Sequence, residues 1–381
     1  MPIFNSKNRA KTGLTIADDD NIVNFLNPGN AKYVDVRTAL HNSDIYSVIF
    51  QLSSDLANGR LVADSSRTQY MLDNPTVTAN THAFWQSMFA QLLLSGEAYA
   101  YRWRNKNGFD SSWEYLRPSQ VTPFLLEDGS GLIYNATFDE PEIGVIQAIP
   151  QSDMIHLRLM SRNGGKTGIS PLTALASELS IHDASNKLTM TALARSIMAP
   201  GILSITKGGL LDSKQKAARS TQFMKQMNDS NSGPIVLDDL ETYTPLEVQG
   251  NVAQLLNQAT WTGAQIAKVY GVSDSIINGQ GDQQSSLDMI GNDYIKALTR
   301  YSNAITSELT NKLSGNITLD LRPVVDPAGD GYANTISNLV KNGTLDDKQA
   351  VWLLTKARYF PADMPTGNPQ PVEGGESDDD D

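Results

Sequence analysis

Residues 152–175 read SDMIHLRLMSRNGGKTGISPLTAL. The run MIHLRLM (154–160) is short and apolar, as a strand requires, and NGGKTGIS (163–170) is turn chemistry. Ser170-Pro171 places a capping residue before a proline at the first helical position, so a helix starts there. A strand, a glycine-rich turn carrying Lys166-Thr167 and a helix also compose a nucleotide-binding loop. If the loop cradles phosphate, the chain is an NTPase on a parallel sheet. If it does not, the segment joins two parts of the molecule.

The phosphate-binding pattern G-x-x-x-x-G-K-[ST] needs a glycine five residues before Gly165, where the backbone curls around the phosphate. Met160 stands there, and Gly168 would interrupt the first turn of the phosphate-facing helix. PIVLDDL (234–240) imitates a strand ending in magnesium-binding carboxylates. An NTPase core, however, alternates strands and helices, whereas the segments before this loop read as a meander. AYAYRWR (98–104), WEYLRP (113–118), VTPFLL (121–126) and GLIYNATF (131–138) are short and rich in aromatic or β-branched residues. Asn107-Gly108, Asp128-Gly129 and Pro141 separate them as turns.

Upstream, Val48, Ile49, Leu52 and Leu56 recur at helical spacing. Phe84, Met88, Phe89, Leu92 and Leu93 do the same up to Gly96, a helix stop. Both stripes read as core, so residues 34–160 predict an α+β domain with a meandering antiparallel sheet. Residues 1–33, with Asp18, Asp19 and Asp20 and the turn Asn27-Pro28-Gly29-Asn30, read as a loose polar arm.

Downstream, the pattern is helical over 170–199, a rod of about 45 Å at ~1.5 Å per residue. GILSIT (201–206) predicts a strand, 211–227 a Lys/Arg-studded helix, and PIVL (234–237) and LETYTPLEV (240–248) two more strands. A helix over 251–270 brings the chain back, and a polar stretch (271–288) follows. Tyr294, Ile295, Leu298, Tyr301, Ile305, Leu309 and Leu313 then share one face of a helix over 291–314. A strand over 316–325 and a short helix near 345–358 complete the ordered part. The tail PTGNPQPVEGGESDDDD reads as disordered. Two long helices thus flank a compact insert at 200–248. Lys207, Lys214, Lys216, Arg219 and Lys225 make the insert locally positive, the pattern of a docking tip on a helical stalk.

At 381 residues the chain exceeds what one core usually holds, so several domains are expected. A net charge of −12 argues against a protein that coats nucleic acid, which needs cations to release phosphate counterions, but leaves DNA open as a transient partner. The absence of cysteine excludes disulfides and thiolate metal sites. His41, His82, His156 and His182 have no metal-binding spacing, and His156 reads as a hydrogen-bonded structural residue within a strand. No catalytic constellation, metal or cofactor is expected. The N-terminus lacks a signal-peptide core and no run approaches the ~20 apolar residues of a membrane span, so a soluble protein without a membrane partner is expected.

Five stretches, in order, resemble portal proteins of tailed double-stranded-DNA bacteriophages, of the compact type found in long-tailed phages. IYSVIFQLSSDLANGRL (45–61) resembles that family's first helix and LLLSGEAYAYRWRNKNG (92–108) its helix-to-hairpin step. SDMIHLRLMSRNGGKTGISPLTAL resembles its strand-turn-helix signature, MAPGILSI (198–205) the start of its next strand, and QIAKVYGVSDSIING (265–279) its Ile-Ala-x-x-[Phe/Tyr]-Gly-Val motif. Ser273-Asp274 depart from the prolines usual there.

The resemblance implies a portal fold of α+β class with an α/β wing, a two-helix stem, a small α+β clip insert and a short C-terminal helical region. Its parts would be an N-terminal arm (1–33), wing (34–169 and 291–325), stem helices (170–199 and 251–270), clip (200–248), tunnel loop (271–290), a short crown-like region (326–360) and an acidic tail (361–381). Stem-helix initiation would fall to Gly168, Ser170 and Pro171. The tunnel loop would offer Asn278, Gly279, Gln280, Gly281, Asp282, Gln283, Gln284, Ser285 and Ser286 to DNA. The implied function is a non-enzymatic ring, a dodecamer of this chain, through which double-stranded DNA is packaged and ejected. Its partners would be the terminase large subunit, a head-to-tail adaptor, scaffold and the major capsid protein. The ring would sit at a capsid vertex of the virion, after assembly in the host bacterial cytoplasm. The competing readings are a P-loop-like NTPase and an oligomeric structural module without a DNA role.

Overall fold

The computed structural model describes residues 13–15, 39–198, 201–205, 212–229, 237, 241–245, 262–273, 287–357 and 359–360. In chain order the elements begin with β1 (Gly13–Thr15), α1 (Ser43–Asn58), β2 (Arg60–Ala63), α2 (Ser66–Asp73) and α3 (Thr81–Ser95). Then come β3 (Glu97–Arg104), β4 (Asp110–Leu116), β5 (Val121–Leu126), β6 (Leu132–Thr137), β7 (Val145–Pro150) and β8 (Met154–Arg158). The next group is α4 (Pro171–Ala174), α5 (Ala176–Met198), β9 (Gly201–Ile205), α6 (Ser213–Asp229) and β10 (Glu241–Pro245). A helix at 262–270 (α7) precedes α8 (Leu287–Lys312), β11 (Ile317–Asp320), α9 (Arg322–Val325), α10 (Asp330–Lys341) and α11 (Asp347–Lys356). The chain divides into two units, one of 1–18, 49–169 and 285–381, the other of 19–48 and 170–284.

In the first unit, α3 begins where Asn80 Oδ1 accepts the Ala83 N–H at 2.8 Å and ends at Gly96, whose φ of 75° suits a residue without Cβ. The chain then turns straight into a meander. One sheet has the order β4-β3-β8 and the other β1-β5-β6-β7, with every pairing antiparallel. Alternation along β3 sends Tyr99 toward the second sheet, into a core with Leu116, Tyr134, Phe138 and Met154. The intervening Ala98 and Ala100 are fully buried and small, which lets α3 approach the other face. There Trp85 meets Trp113 edge-on at 6.0 Å and Phe84 at 5.4 Å. Each such aromatic pair adds about 0.5–1.5 kcal/mol beyond its buried area.

The meander expected from sequence is present, and the structure adds pairings that local pattern did not show. Gly13–Thr15, expected within a loose arm, pairs with β5 from Gly13↔Leu126 to Thr15↔Phe124. Strand pairing uses backbone groups, so a polar segment can satisfy an open sheet edge without an apolar signature. β2 pairs with β11 across more than half the chain, from Arg60↔Asp320 to Ala63↔Ile317. The expected strand at 316–325 stops at Asp320, because Pro323 removes a ladder donor and sits in the helical turn α9. β7 and α10 were not expected. The rod expected at 170–199 is interrupted at Leu175, between α4 and α5.

In the second unit, β9 and β10 pair from Gly201↔Pro245 to Ile205↔Glu241. α6 lies on this hairpin, with Phe223 buried and its ring 5.0 Å from Tyr243. Of the strand expected at 234–237 only Leu237 is described, and it is not in a strand. Asp238-Asp239 lie outside the described residues.

Candidate functional site

The loop that decides the fold is a closed hydrogen-bonded knot. Asn163 Oδ1 accepts the N–H groups of Lys166 (3.1 Å) and Thr167 (3.0 Å), and its Nδ2 donates to Thr167 Oγ1 at 2.7 Å. Gly165 N–H donates to Ser161 Oγ at 3.0 Å, Gly168 N–H to Glu97 Oε1, and Ile169 N–H to Met160 O at 2.8 Å. A phosphate cradle depends on such successive N–H groups being free to face the ligand; here those of residues 165–169 are all satisfied within the chain. The Lys166 ammonium donates to Asn163 O at 3.2 Å. Gly164 and Gly165, at φ 70° and 82°, make the turn.

A helix begins at Pro171. Ser170 Oγ accepts the Leu172 N–H at 3.2 Å and Pro171 occupies the first turn. Gly168 has a more specific role than a flexible joint, since a Cβ there would lie 2.2 Å from Gly96 O. The loop is clamped to the α3–β3 corner rather than hinged.

Beneath the clamp lies a buried polar group that sequence reasoning did not assemble. His156 on β8 is fully buried, stacks on Tyr99 at 4.2 Å, and its Nδ1 lies 3.2 Å from the Tyr134 hydroxyl. Its Nε2 is 3.4 Å from Glu97 Oε1 without hydrogen-bond alignment. Tyr99 donates to Glu97 Oε2 at 2.9 Å. Along the outer edge of β8, Glu308 of α8 accepts the His156 N–H at 3.3 Å and Arg158 Nη2 at 2.9 Å, while Arg158 Nη1 donates to Gly165 O. Burial pulls the His156 imidazole below its ordinary value, so it is neutral. Burial pushes the Glu97 carboxyl up, but His156, the Gly168 N–H and the Tyr99 hydroxyl outweigh it and hold the group below the usual range. The group fixes one face of the loop, and within it His156 Nε2 is buried without a hydrogen-bond partner. Its one sequence trace is charge inside apolar segments, at Glu97, Arg158 and Glu308.

Of the expected docking residues, Lys214, Lys216 and Lys225 are exposed on α6. Arg219 is not a free cation, because it makes a paired contact with Glu241 of β10, Nε to Oε1 and Nη2 to Oε2. Lys207 and the tunnel-loop residues Asn278, Gly279, Gln280, Gly281, Asp282, Gln283, Gln284, Ser285 and Ser286 lie outside the described residues.

α5 inverts the usual order of a surface helix. Leu172, Leu175 and Leu179 are buried near its start. Beyond them Glu178, His182, Ser185 and Thr189 are half-buried, whereas Ile181 and Leu188, two turns apart with Ala184 between, are 47% and 57% exposed. Met190 is 68% exposed. Among the described residues, no helix is long and apolar enough to cross a membrane.

Comparison with curated protein sequences finds no match. The fold is similar to a chain in the neck of an empty gene transfer agent particle computed with C6 symmetry, with a TM-score of 0.64, 18% identity and coverage of 85% of this chain and 94% of that one. A chain in the neck of the native particle, computed with C12 symmetry, gives 0.64 at 19% identity over 86% and 93%. An HK97-family phage portal protein from Corynebacterium diphtheriae gives 0.55 at 14% identity over 78% and 98%. The profile of the family described as phage portal protein matches residues 40–347, most of the chain and every stretch on which the resemblance rests, so this chain belongs to the phage portal protein family.

Proposed function

We propose that this chain is the repeating subunit of a ring, twelve-fold like the C12 neck it resembles, set at one vertex of a virion head and conducting double-stranded DNA. The observation that carries the reading is α5. A single chain gains nothing by exposing Ile181 and Leu188 on a repeating face, and a copy of the same helix from the next subunit is the surface that covers them. The contact is heterologous, one face of a subunit against a different face of its neighbour, and closes by rotation.

On this reading 34–169 and 291–325 form the wing, 170–199 and 251–270 the stem, 200–248 the clip and 271–290 the loop that narrows the channel. The acidic balance suits the task, because each lysine or arginine on the lining would add a phosphate contact that resists sliding. The exposed lysines of α6 are the face offered to the terminase and later to the adaptor. Electron micrographs of the purified protein should show rings with an axial hole, at a mass near twelve subunits. A protein that stays monomeric at every concentration and with scaffold present would sink the proposal.

A further inference from the structure

The first unit carries a groove of about 800 Å³ between the end of α1, β2, α3, β11, α10 and α11. Phe89 is at its floor, and Tyr332 and Trp352 line it. Trp352 is 58% exposed, an unusual state for so large an apolar ring. Cations sit among these rings: Lys356 Nζ lies 4.7 Å from the Trp352 centroid and Arg322 Cζ 4.9 Å from that of Tyr332. Arg322 is ion-paired to Asp320 at 2.6 Å. Arg60, also on the lining, is the register partner of Asp320 and, after the Arg322 hydrogen bond, helps hold its carboxyl below the usual range without an ion-pair contact. Lys356 forms no ion pair with a described carboxylate. Asp73 is the other acid there. A groove of exposed aromatic faces between cations takes extended proline-bearing peptide with acidic residues, since proline rings pack on aromatic faces at low entropic cost.

The chain itself supplies such a segment where the groove ends. Ala357 lines the groove, and Phe360 is followed by PADMPTGNPQPVEGGESDDDD (361–381). Pro361, Pro365, Pro369 and Pro371 precede Glu373, Glu376 and Asp378 to Asp381. We propose that the groove is the intramolecular dock of residues 361–381, with prolines on Trp352 and Tyr332 and carboxylates near Arg60 and Lys356. Length permits this: at about 3.1 Å per residue, the fifteen residues that follow Ala357, up to Val372, reach ~45 Å. The docked tail covers Trp352 and neutralises cations of the groove. The inference is independent of ring formation.

Hydrogen exchange by mass spectrometry on the full chain tests it. Amides of 362–372 should exchange at least about tenfold more slowly than in a free peptide of the same sequence. Trp352→Ala, Lys356→Glu and neutralisation of Asp378 to Asp381 should each restore the free-peptide rate while exchange in β3 stays unchanged. Protection should also fall at about 1 M salt, where screening acts over ~3 Å. The two charge variants keep the test valid if Trp352→Ala fails to fold. A tail exchanging like free peptide overturns the proposal, and so does protection that survives the substitutions. Protection that appears only as subunits assemble also overturns it, by making the occupant the tail of a second copy.

Discussion

The loop at 161–169 and the helix α5 treat their side chains in opposite ways. The loop satisfies its groups within the chain, down to a glycine at 168 that admits no methyl group. α5 leaves Ile181, Leu188 and Met190 in water and half-buries polar residues instead. A segment that closes on itself is finished by folding. One that exposes a repeating apolar face is finished by association, because burying a leucine-sized side chain is worth about 1.5–3 kcal/mol and a lone chain forgoes it. The comparison separates substitutions that damage the subunit from those that damage the assembly.

The largest effect is expected from Ile181→Lys with Leu188→Lys. Because both are already about half buried, loss of both contacts removes about 1.5–3 kcal/mol from every subunit interface, so rings should give way to monomers. The thermal midpoint of the monomer should stay unchanged, because both side chains are already exposed in the single chain. If the monomer unfolds as well, α5 is part of the subunit core and the contrast fails.

Gly168→Ala should do the reverse. Its Cβ meets the backbone oxygen of Gly96, which cannot swing aside as a side chain can. A cost of about 3 kcal/mol or more is expected, from strain and from the lost bond to Glu97. Denaturant unfolding reads it directly, and a loss below about 1 kcal/mol would show that the clamp yields.

The basic helix α6 contains both behaviours on one element. Arg219→Ala leaves Glu241 without its main partner and should cost about 1–3 kcal/mol. Lys214→Glu with Lys216→Glu should leave stability within about 0.5 kcal/mol while weakening terminase stimulation by assembled rings. Equal stability losses from the two changes would remove the distinction.

How much of this was legible follows the same divide. α1, α3, α8 and the meander strands other than β7 were readable because their periodicity is local and glycine or proline bounds them. β2 with β11, and β1 with β5, were not, since each depends on a partner far along the chain. At the candidate site, Ser170-Pro171 was readable as a cap from residue type alone. The hold of Glu97 on Gly168 spans 71 residues and that of Glu308 on Arg158 spans 150, so no local rule contains them. Arg219 looked like surface charge because Glu241 reaches it only once β10 has folded back.

The buried histidine offers a milder test on the self-contained side. His156 is held below its unfolded value of 6.5 by burial, so at falling pH the unfolded chain takes the proton first. The stability tied to its neutral form is present above about pH 6.5 and is lost as pH falls through that value toward the folded pKa. Glu97, lowered from 4.5, keeps its contribution down to that value. Asp55 and Glu114, raised by burial, take up protons in the folded chain as pH falls and oppose the histidine, so the substitution at 156 is what assigns its share. Thermal midpoints should drop from about pH 7 to about pH 5, and His156→Gln should flatten that slope at the cost of some stability. A variant with the original slope would assign the pH dependence elsewhere.

The smallest effect probes whether the self-contained region is free of strain. Ala148 on the edge strand β7 has φ of 56°, the only non-glycine in the left-handed region among the described residues. It sits where the register of β6 against β7 shifts, and Asn135 Oδ1 accepts its N–H at 2.9 Å. Holding an L-residue there costs about 1–2 kcal/mol, whereas glycine loosens the unfolded chain by about 0.4–1 kcal/mol. Relief of strain exceeds that loss, so Ala148→Gly should raise stability by about 0.5–1 kcal/mol without touching assembly. The strain persists because Asn135 holds the bulge, and Asn135→Ala should therefore lower stability and cancel the gain from glycine. If Ala148→Gly is instead destabilising by more than about 1 kcal/mol, the alanine methyl contributes packing that outweighs the backbone. The bulge would then belong to the core rather than to the management of an exposed edge.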